Sequence, residues 1–451
     1  MAVGMETTDL AGYETVDGLT EAGGSSGNPR LSTKGSYDSR DTYAEISIPV
    51  LADVVGAQEL NIDYAYRNTS YSQFDSESVE RTAIKWKPIN DLTIRATDST
   101  SYKAPTISDL YFGGGGGFPT YVDPCEQNQY STYTDAQKAT ALAQCAAQGI
   151  DATTYSTENN QILNLSVGNP NLTPESGSNM TYGFVWEPTN ISFLEAVDFR
   201  MAVDNFELEI ENAVVGSGVA ATLNGCYLNG NAAQCANIVR SFGGDITSVR
   251  TANLNSASID LYKGTDYSMN FTFEDLPRIG GSLEVDVIGT HFEENVTVTA
   301  SGISDDVVGD CYDFGESCFN RDRITLALRW RNEDWNVGLT TRFLSEIPVQ
   351  DGVVDYFSAE GGAYGEGTYS QEILEDIYDV YSIPDITYTY LNVGYRASDS
   401  MQLSLSVSNL FDKQPPYYKD FFGFVDPQIQ TPQNTYDIVG RYFQLGFKLS
   451  L

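Results

Sequence analysis

Six cysteines are the residues of this sequence whose spacing most clearly predicts chemistry. They fall in three close pairs, which are Cys125/Cys145, Cys226/Cys235 and Cys311/Cys318. None of the pairs has the CxxC spacing of a zinc or redox site, and the single histidine, His291, leaves a zinc site short of ligands. The spacing therefore predicts three local disulfides and an oxidising compartment, with six reduced thiols as the alternative.

A run of five glycines, residues 113–117, is bracketed by aromatic residues. It lacks the Lys-Ser/Thr that completes a phosphate-binding loop, so we interpret it as a flexible loop tip. The flanking Tyr111, Phe112, Phe118 and Tyr121 could stack on a ligand, and packing between loops is the alternative.

Residues 346–384 carry nine acids and no Lys or Arg, and tyrosines are interspersed among them. Carboxylates beside rings suit a sugar or a cationic or metal-bearing ligand, so Tyr356, Tyr364 and Tyr369 are candidate ligand contacts. The alternative is a solvated loop, or one that calcium bridges to lipopolysaccharide. No catalytic, cofactor-binding or metal-binding motif stands out, and His291 has no catalytic partner in the sequence.

The composition excludes several classes of protein. The net charge of −37, from 62 acids and 25 bases, argues against a nucleic-acid partner, because phosphate binding needs a basic face. An aromatic content of 12% argues against disorder. No apolar stretch reaches the length of a membrane-spanning helix, so only a closed sheet could carry this chain across a bilayer.

Alternating apolar and polar residues predict the elements that position these groups. At the end of the chain Phe443, Leu445 and Phe447 alternate with Gln444 and Gly446, as barrel strands do. The same pattern predicts thirteen strands near 41–50, 58–70, 78–87, 92–102, 174–187, 196–213, 255–275, 280–296, 321–332, 335–345, 385–397, 401–410 and 437–451.

Short turns and long loops alternate between these strands, which is typical of outer-membrane barrels with turns in the periplasm and loops outside. The sequence thus predicts an all-β fold, a transmembrane antiparallel β-barrel. Its large outer loops are expected at 103–173, 214–254, 297–320, 346–384 and 411–436, and the cysteines fall in the first three. A helix should begin after Thr134, where an N-cap residue precedes a helix-favouring composition.

The odd strand count carries a further expectation. Single-chain bacterial barrels have even counts, so thirteen strands would leave some missing before residue 41, and residues 1–40 would be the tail of an outer loop. The start of the chain also lacks a secretory signal, which suggests a truncated record.

Four segments resemble the TonB-dependent outer-membrane receptors: 101–111 (SYKAPTISDLY), 168–175 (GNPNLTPE), 408–416 (SNLFDKQPP) and 440–451 (GRYFQLGFKLSL). The resemblance implies a 22-stranded barrel of which residues 41–451 are the C-terminal part, set in outer-membrane lipid and lipopolysaccharide. It implies a transport role rather than an enzyme, with TonB-energised uptake of an oligosaccharide, a siderophore or a similar ligand.

Two features depart from that family's pattern. Leu451 stands where the family has a terminal aromatic residue, and no plug or TonB-contacting segment is found. Contact with the TonB complex is therefore expected only through an N-terminal part that is missing here. A passive porin and a surface adhesion barrel are the alternative functions.

Overall fold

The structure, a computed structural model, describes the chain except for residues 132, 158–160, 190–196, 299–303, 307, 313–316, 348–381, 418–430, 432–433 and 450–451. The described strands are β1 Ala2–Glu14, β2 Thr33–Val54, β3 Ala57–Tyr71, β4 Glu77–Ile89, β5 Leu92–Lys103, β6 Gly115–Gly117, β7 Leu163–Val167, β8 Glu175–Trp186, β9 Val197–Glu211, β10 Val214–Gly216, β11 Ile238–Arg240, β12 Ile246–Asn255, β13 Ile259–Phe273, β14 Ser282–Val298, β15 Ser304–Asp306, β16 Asp310–Tyr312, β17 Ser317–Phe319, β18 Asp322–Arg331, β19 Trp335–Leu344, β20 Ile386–Ser398, β21 Met401–Ser408 and β22 Tyr442–Leu449. The described α-helices are α1 Gly18–Glu21, α2 Ile107–Tyr111, α3 Asp135–Ala147, α4 Val219–Tyr227 and α5 Ala232–Cys235.

One large antiparallel sheet, here called the wall, contains most of these strands. Its order is β1-β2-β3-β4-β5-β8-β9-β13-β14-β18-β19-β20-β21-β22, and the short β15 also pairs with β14. Each wall strand pairs with the next wall strand along the chain, so the wall is an antiparallel meander. The predicted fold class is confirmed, and each of the thirteen predicted strands overlaps a wall strand.

A fourteenth wall strand, β1, lies where the sequence predicted the tail of a loop. Strand β1 pairs with β2 along its whole length, from Ala2 opposite Glu45 to Glu14 opposite Thr33. The prediction that residues 1–40 form a loop tail is therefore wrong. The expectation of missing strands rested on an odd count, but the described meander from β1 to β22 has fourteen strands when the short β15, which lies off this order, is set aside.

The two faces of the wall differ in chemistry, as the alternation predicts. One face, here called the polar face, carries ion pairs between neighbouring strands, such as Lys85 with Glu59 at 3.0 Å and Arg329 with Glu284 at 3.0 Å. The other, the apolar face, carries rows of large apolar side chains, such as Leu405 opposite Leu445. Because side chains alternate along a strand, a single register keeps the two sets apart.

The two ends of the wall also differ. At one end, here called the short-turn end, the connections are residues 55–56, 90–91, 187–196, 274–281, 332–334 and 399–400. The opposite, long-connection end carries most of the longer segments. The predicted alternation is confirmed, and so is the predicted helix, since α3 begins after Thr134, whose side chain accepts a hydrogen bond from the backbone of Gln137. No described helix is both long and apolar enough to cross a membrane.

Candidate functional site

Two long connections, residues 104–174 and 212–258, fold together into one unit that we call the loop module. Its small sheet has the order β10-β12-β7-β6, and β11 also pairs with β12. Strands β7 and β12 come from different connections and run parallel, with Ser248 opposite Leu163 and Ala252 opposite Val167. The two connections therefore form a single folded body.

Two disulfides lie in the core of the loop module. Cys125 is bonded to Cys145 in α3, and Cys226 in α4 is bonded to Cys235 in α5. Both pairings were predicted from spacing and are confirmed. Cys125, Cys145 and Cys226 are buried in the module core and Cys235 packs against it, so the first bond ties α3 to the segment around Cys125 and the second ties α4 to α5.

The third predicted disulfide falls in a separate hairpin. Strands β16 and β17 pair with each other, and Cys311 stands directly opposite Cys318. The side chains of both cysteines lie outside the described residues, so this pairing stays a prediction. Peptide mapping without reduction tests it, since free thiols at both positions would exclude the bond.

A buried ion pair ties the two connections of the module together. The Arg240 guanidinium donates from Nη1 and Nη2 to the two Asp123 carboxylate oxygens at 2.6 and 2.7 Å, and their side chains are 8% and 0% exposed. Arg240 also donates to the Tyr227 hydroxyl at 2.8 Å and to the Gly244 carbonyl at 2.6 Å. Burial alone lowers the pKa of Arg240, but Asp123 outweighs this effect and holds the pKa above its ordinary value.

Five tyrosines, here called the module tyrosines, surround this pair. Burial is the first cause of a raised pKa for each of them, so their phenols stay neutral beyond the usual range. The module tyrosines are Tyr121, Tyr130, Tyr133, Tyr155 and Tyr227.

The turn at residues 241–245 is held by hydrogen bonds and presents an exposed ring. Ser241 donates from its backbone to the Asp245 carbonyl at 2.8 Å, and the buried Arg240 holds the Gly244 carbonyl. Phe242, at the tip, is fully exposed. Sequence reasoning missed this residue, although an aromatic between Ser241 and two glycines is a turn signal that could have marked it.

Two of the segments that resemble the TonB-dependent receptors anchor the module to the wall. Leu110 from the first and Leu172 from the second share a buried cluster with Tyr37 of β2. Polar contacts support this cluster, because Asn253 donates to the Asp109 carboxylate at 3.1 Å and Asn169 donates to the Asn253 carbonyl at 2.9 Å. These motif residues join structural elements and leave little surface for a ligand.

The motif at 408–416 also has a structural role. Asn409 is buried and has a positive φ of 48°, which asparagine tolerates better than most residues. Its side chain donates to the Lys413 carbonyl at 2.8 Å and accepts from the Lys413 backbone at 2.9 Å. The motif thus forms a tight loop directly after β21.

The sequence suggested that the glycine run is a flexible loop tip, but the structure shows otherwise. Leu31 donates from its backbone to the Gly114 carbonyl at 2.8 Å, and Gly116 donates to the Pro29 carbonyl at 2.6 Å. A Cβ on Gly113 would lie 2.1 Å from the Ser32 carbonyl oxygen. The run therefore forms an edge of the module sheet, where only glycine lets residues 29–32 approach so closely.

The structure separates the four aromatic residues that bracket the glycine run. Tyr111 belongs to the cluster around Leu110, whereas Tyr121 is 8% exposed in the module core. Phe112 packs near Gly115, and Phe118 is 52% exposed. Packing between loops, the alternative to ligand binding, thus describes Tyr111, Phe112 and Tyr121. Ligand contact by any of the four residues stays a prediction.

The candidate contacts in the acidic loop, Tyr356, Tyr364 and Tyr369, lie outside the described residues. In the part of the chain that the structure does describe, no three His, Cys, Asp or Glu side chains converge as they would around a metal ion.

A hollow of about 500 Å³ lies on the polar face of the wall, lined in part by Arg95, Asp204 and Asp266. The Arg95 guanidinium donates from Nε and Nη2 to Asp204 at 2.8 and 2.5 Å, although β8 lies between their strands. Gly183 of β8 stands between the two residues in the register. A Cβ there would lie 2.5 Å from an Asp204 carboxylate oxygen, so glycine makes this bridge possible.

Comparisons with solved structures identify the same fold. The siderophore receptor PirA from Acinetobacter baumannii has a TM-score of 0.56 at 14% identity, over 100% of this chain and 52% of that chain. A mutant of the ferric enterobactin receptor PfeA from Pseudomonas aeruginosa has a TM-score of 0.53 at 13% identity, over 93% of this chain and 45% of that chain. The chain thus spans about half the length of these structures.

No curated protein matches the chain. Residues 3–410 match the model of a protein family described as TonB dependent receptor-like, beta-barrel. This match covers most of the wall and the whole loop module. The chain therefore belongs to the TonB-dependent receptors, a family of outer-membrane β-barrel transport receptors.

Proposed function

We propose that this chain is the barrel part of a receptor for TonB-energised uptake of a scarce nutrient, and that its loop module faces outward to bind the ligand. The observation that carries the proposal is a disulfide-linked module with an exposed aromatic tip at the long-connection end of the wall. Disulfides persist in oxidising compartments, which favours an external position. Outer-membrane lipid and lipopolysaccharide would surround the wall, and TonB would act through a plug-bearing part outside these 451 residues.

The ligand class rests on charge and aromatic content. The similar structures include a siderophore receptor and a ferric enterobactin receptor, but at this identity they inform only the fold. A net charge of −37 disfavours strongly anionic ferric complexes and favours an oligosaccharide or another neutral ligand. Exposed rings suit the flat face of a sugar, so Phe118 and Phe242 join the acidic-loop tyrosines as candidate contacts.

Uptake in the native bacterium tests the proposal against its alternatives. A strain that lacks the gene is grown on a panel of oligosaccharides as carbon source and of ferric siderophores as iron source, with and without TonB. The proposal expects a growth defect on one class, reproduced by loss of TonB. Uptake that persists without TonB would favour a passive porin, and normal uptake with weaker surface attachment would favour adhesion.

The orientation of the module has its own test. Cys125, Cys145, Cys226 and Cys235 are in disulfides. In a background with Cys311 and Cys318 replaced by serine, Phe242→Cys should therefore react with a membrane-impermeant maleimide on intact cells. The matched variant Asp334→Cys, in a short turn, should react only after lysis. The reverse order of labelling would contradict the outward position of the module.

A further inference from the structure

Three phenylalanines lie side by side on the polar face of the wall, the face that carries its ion pairs. Gly264 of β13 stands opposite Phe206 of β9 on one side and Phe292 of β14 on the other, so the two rings are at one level. The ring centroids of Phe206 and Phe292 are 6.2 Å apart, and those of Phe292 and Phe319 are 4.6 Å apart. All three rings are partly buried. We call this row, together with Arg323 at its end, the inner platform.

Glycine at position 264 makes the inner platform continuous. A Cβ at that position would lie 2.7 Å from Phe206 Cζ and 2.6 Å from the His291 carbonyl oxygen. The Phe206 ring therefore occupies the space that a side chain of residue 264 would fill, and it covers the backbone of β13. An apolar surface thus runs from β9 to β14 across a strand that contributes no side chain to it.

Arg323 ends the row on the β18 side. Its guanidinium carbon lies 5.7 Å from the ring centroid of Phe292 and 4.8 Å from that of Phe319. The register places Arg323 opposite Thr290, on the same face of the wall as the rings. Stacking uses the flat face of a guanidinium, whereas its hydrogen bonds are donated in the plane of the group. The inner platform thus combines apolar ring faces with a set of donors at one end.

Hydrogen-bond acceptors lie next to the inner platform, toward the short-turn end. Asp266 is exposed and lies two residues along β13 from Gly264 on the same face, a distance of roughly 7 Å. Its carboxylate accepts from the Thr290 hydroxyl at 2.6 Å. Asp266 also stands directly opposite Asp204 of β9, and like charges in such a pair are destabilising. Departures from a local rule of this kind are expected at functional sites.

The hollow of about 500 Å³ on the polar face begins at this row of carboxylates. Ala202 and Ser268 stand opposite each other in its lining, and their short side chains leave the space open. Pockets of about 300–1,000 Å³ hold small ligands, so the volume suits a few sugar units or a molecule of similar size. Ring faces, donors and acceptors therefore border one space of the right volume.

We propose that the inner platform and Asp266 bind a sugar unit of a neutral oligosaccharide on the polar face of the wall. The rings of Phe206 and Phe292 contact the apolar face of the sugar. Asp266 accepts hydrogen bonds from its hydroxyl groups, and Arg323 donates to them. A neutral ligand fits better than an anion, because the carboxylates of Asp204 and Asp266 border the same space. This site rests on the proposed function and adds a contact on the wall, apart from the exposed tips of the loop module.

Uptake by variants of the native receptor tests the site. The strain that lacks the gene is complemented with wild type, Phe206→Ala or Phe292→Ala, and uptake of neutral hexasaccharides of glucose, xylose and mannose is measured over a range of concentrations. Loss of either ring should raise the half-saturating concentration of the transported sugar about three- to tenfold. Phe206→Tyr keeps the ring face and should behave like wild type.

A second variant separates binding from stability. Asp266→Asn removes the like-charge contact with Asp204, so it should raise the unfolding temperature of the full chain in detergent. The same substitution weakens the acceptor for sugar hydroxyls, so the half-saturating concentration should rise as well. A stabilised variant with unchanged uptake would show that Asp266 does not bind the sugar.

Phe199→Ala is the matched control. Phe199 lies on the same strand as Phe206 and packs against two rings, Trp186 at 5.7 Å and Phe271 at 4.8 Å, but on the apolar face. It should reduce the amount of folded receptor without raising the half-saturating concentration. If Phe206→Ala and Phe292→Ala matched wild type or Phe199→Ala in this concentration, the site would be overturned and the proposed function would stand. Equal hexasaccharide uptake with and without the gene would instead refute the neutral-sugar ligand of the proposed function, and the site with it.

Discussion

Replacing Arg240 by methionine should open the loop module while leaving the wall folded. The substitution keeps an unbranched side chain in the core but leaves the Asp123 carboxylate, which is 0% exposed, without its cation. Two hydrogen bonds to Asp123 and one each to Tyr227 and Gly244 are lost together. A buried charge left in this way cannot be hydrated without separating the two connections.

Breaking one side of a buried ion pair costs about 3–5 kcal/mol, which lowers the equilibrium constant for module closure by roughly two to three and a half orders of magnitude. Because all of the guanidinium contacts serve one local structure, the loss should appear as local opening rather than global unfolding. Replacing both partners, as Arg240→Met with Asp123→Leu, should restore most of the stability, since no charge then remains buried.

Amide hydrogen exchange of the full chain measures this effect. Protection should fall in α4, Val219–Tyr227, and remain unchanged in the wall strand β18. Arg250→Met is the matched control, because Arg250 is an exposed arginine on β12 of the same small sheet. If Arg240→Met lowered protection no more than Arg250→Met does, the ion pair would not stabilise the module and our reasoning would be refuted.

Other consequences can be tested separately. Burial raises the pKa of the module tyrosines, so these tyrosines ionise in the unfolded module before they ionise in the folded one. The stability of the module should therefore be complete below pH about 10 and fall as the pH rises past that value. Absorbance titration with limited proteolysis would follow this loss, and an unchanged module at pH about 11 would contradict the prediction. Gly113→Ala should detach residues 29–32 and increase proteolysis there, whereas Gly117→Ala, whose Cβ would lie 4.0 Å from its nearest neighbour, should behave like wild type. If the two variants were equally sensitive to protease, the close approach of residues 29–32 would not require glycine at position 113. Gly183→Ala should destabilise the wall by about 1–3 kcal/mol through overpacking, whereas Gly338→Ala, whose Cβ would lie 3.9 Å from its nearest neighbour, should not. Thermal unfolding in detergent measures both variants. Similar shifts of their unfolding temperatures would mean that the wall does not need a glycine beneath the Arg95–Asp204 ion pair.

The strands of the wall could be predicted because each alternates with period two and has one apolar face. Strand β1 could not be found in this way. On the apolar face of the wall, β1 places Thr7 and Asp9 beside Val3 and Met5, so neither face of this strand is uniformly apolar. Its register is set by β2 instead, and Gly4 leaves room for the Tyr43 ring, which a Cβ would approach to 2.4 Å. Local patterning does not contain this information, because the partner supplies it.

The loop module escaped prediction for a related reason. Its two connections meet through β7 and β12, whose paired residues Leu163 and Ser248 are far apart in sequence. The glycine run has its partner at residues 29–32, in the connection between β1 and β2. The two confirmed disulfides could be predicted because both cysteines of each pair are close in sequence. Long-range pairing of backbone edges leaves no such local signal.

The residues of the short motif segments and the residues that would select the ligand form different sets. Asp109, Asn169 and Asn409 use their side chains to join helices, strands and tight loops, so their chemistry is already satisfied inside the protein. Phe118 and Phe242 have exposed rings on the loop module, and both lie outside the four sequence segments 101–111, 168–175, 408–416 and 440–451. A ring on a backbone that hydrogen bonds already hold loses mainly side-chain freedom when it binds, so it can contribute affinity without altering the scaffold. Specificity in this chain should therefore change through substitutions at such tips, while substitutions in the motif segments should first affect folding.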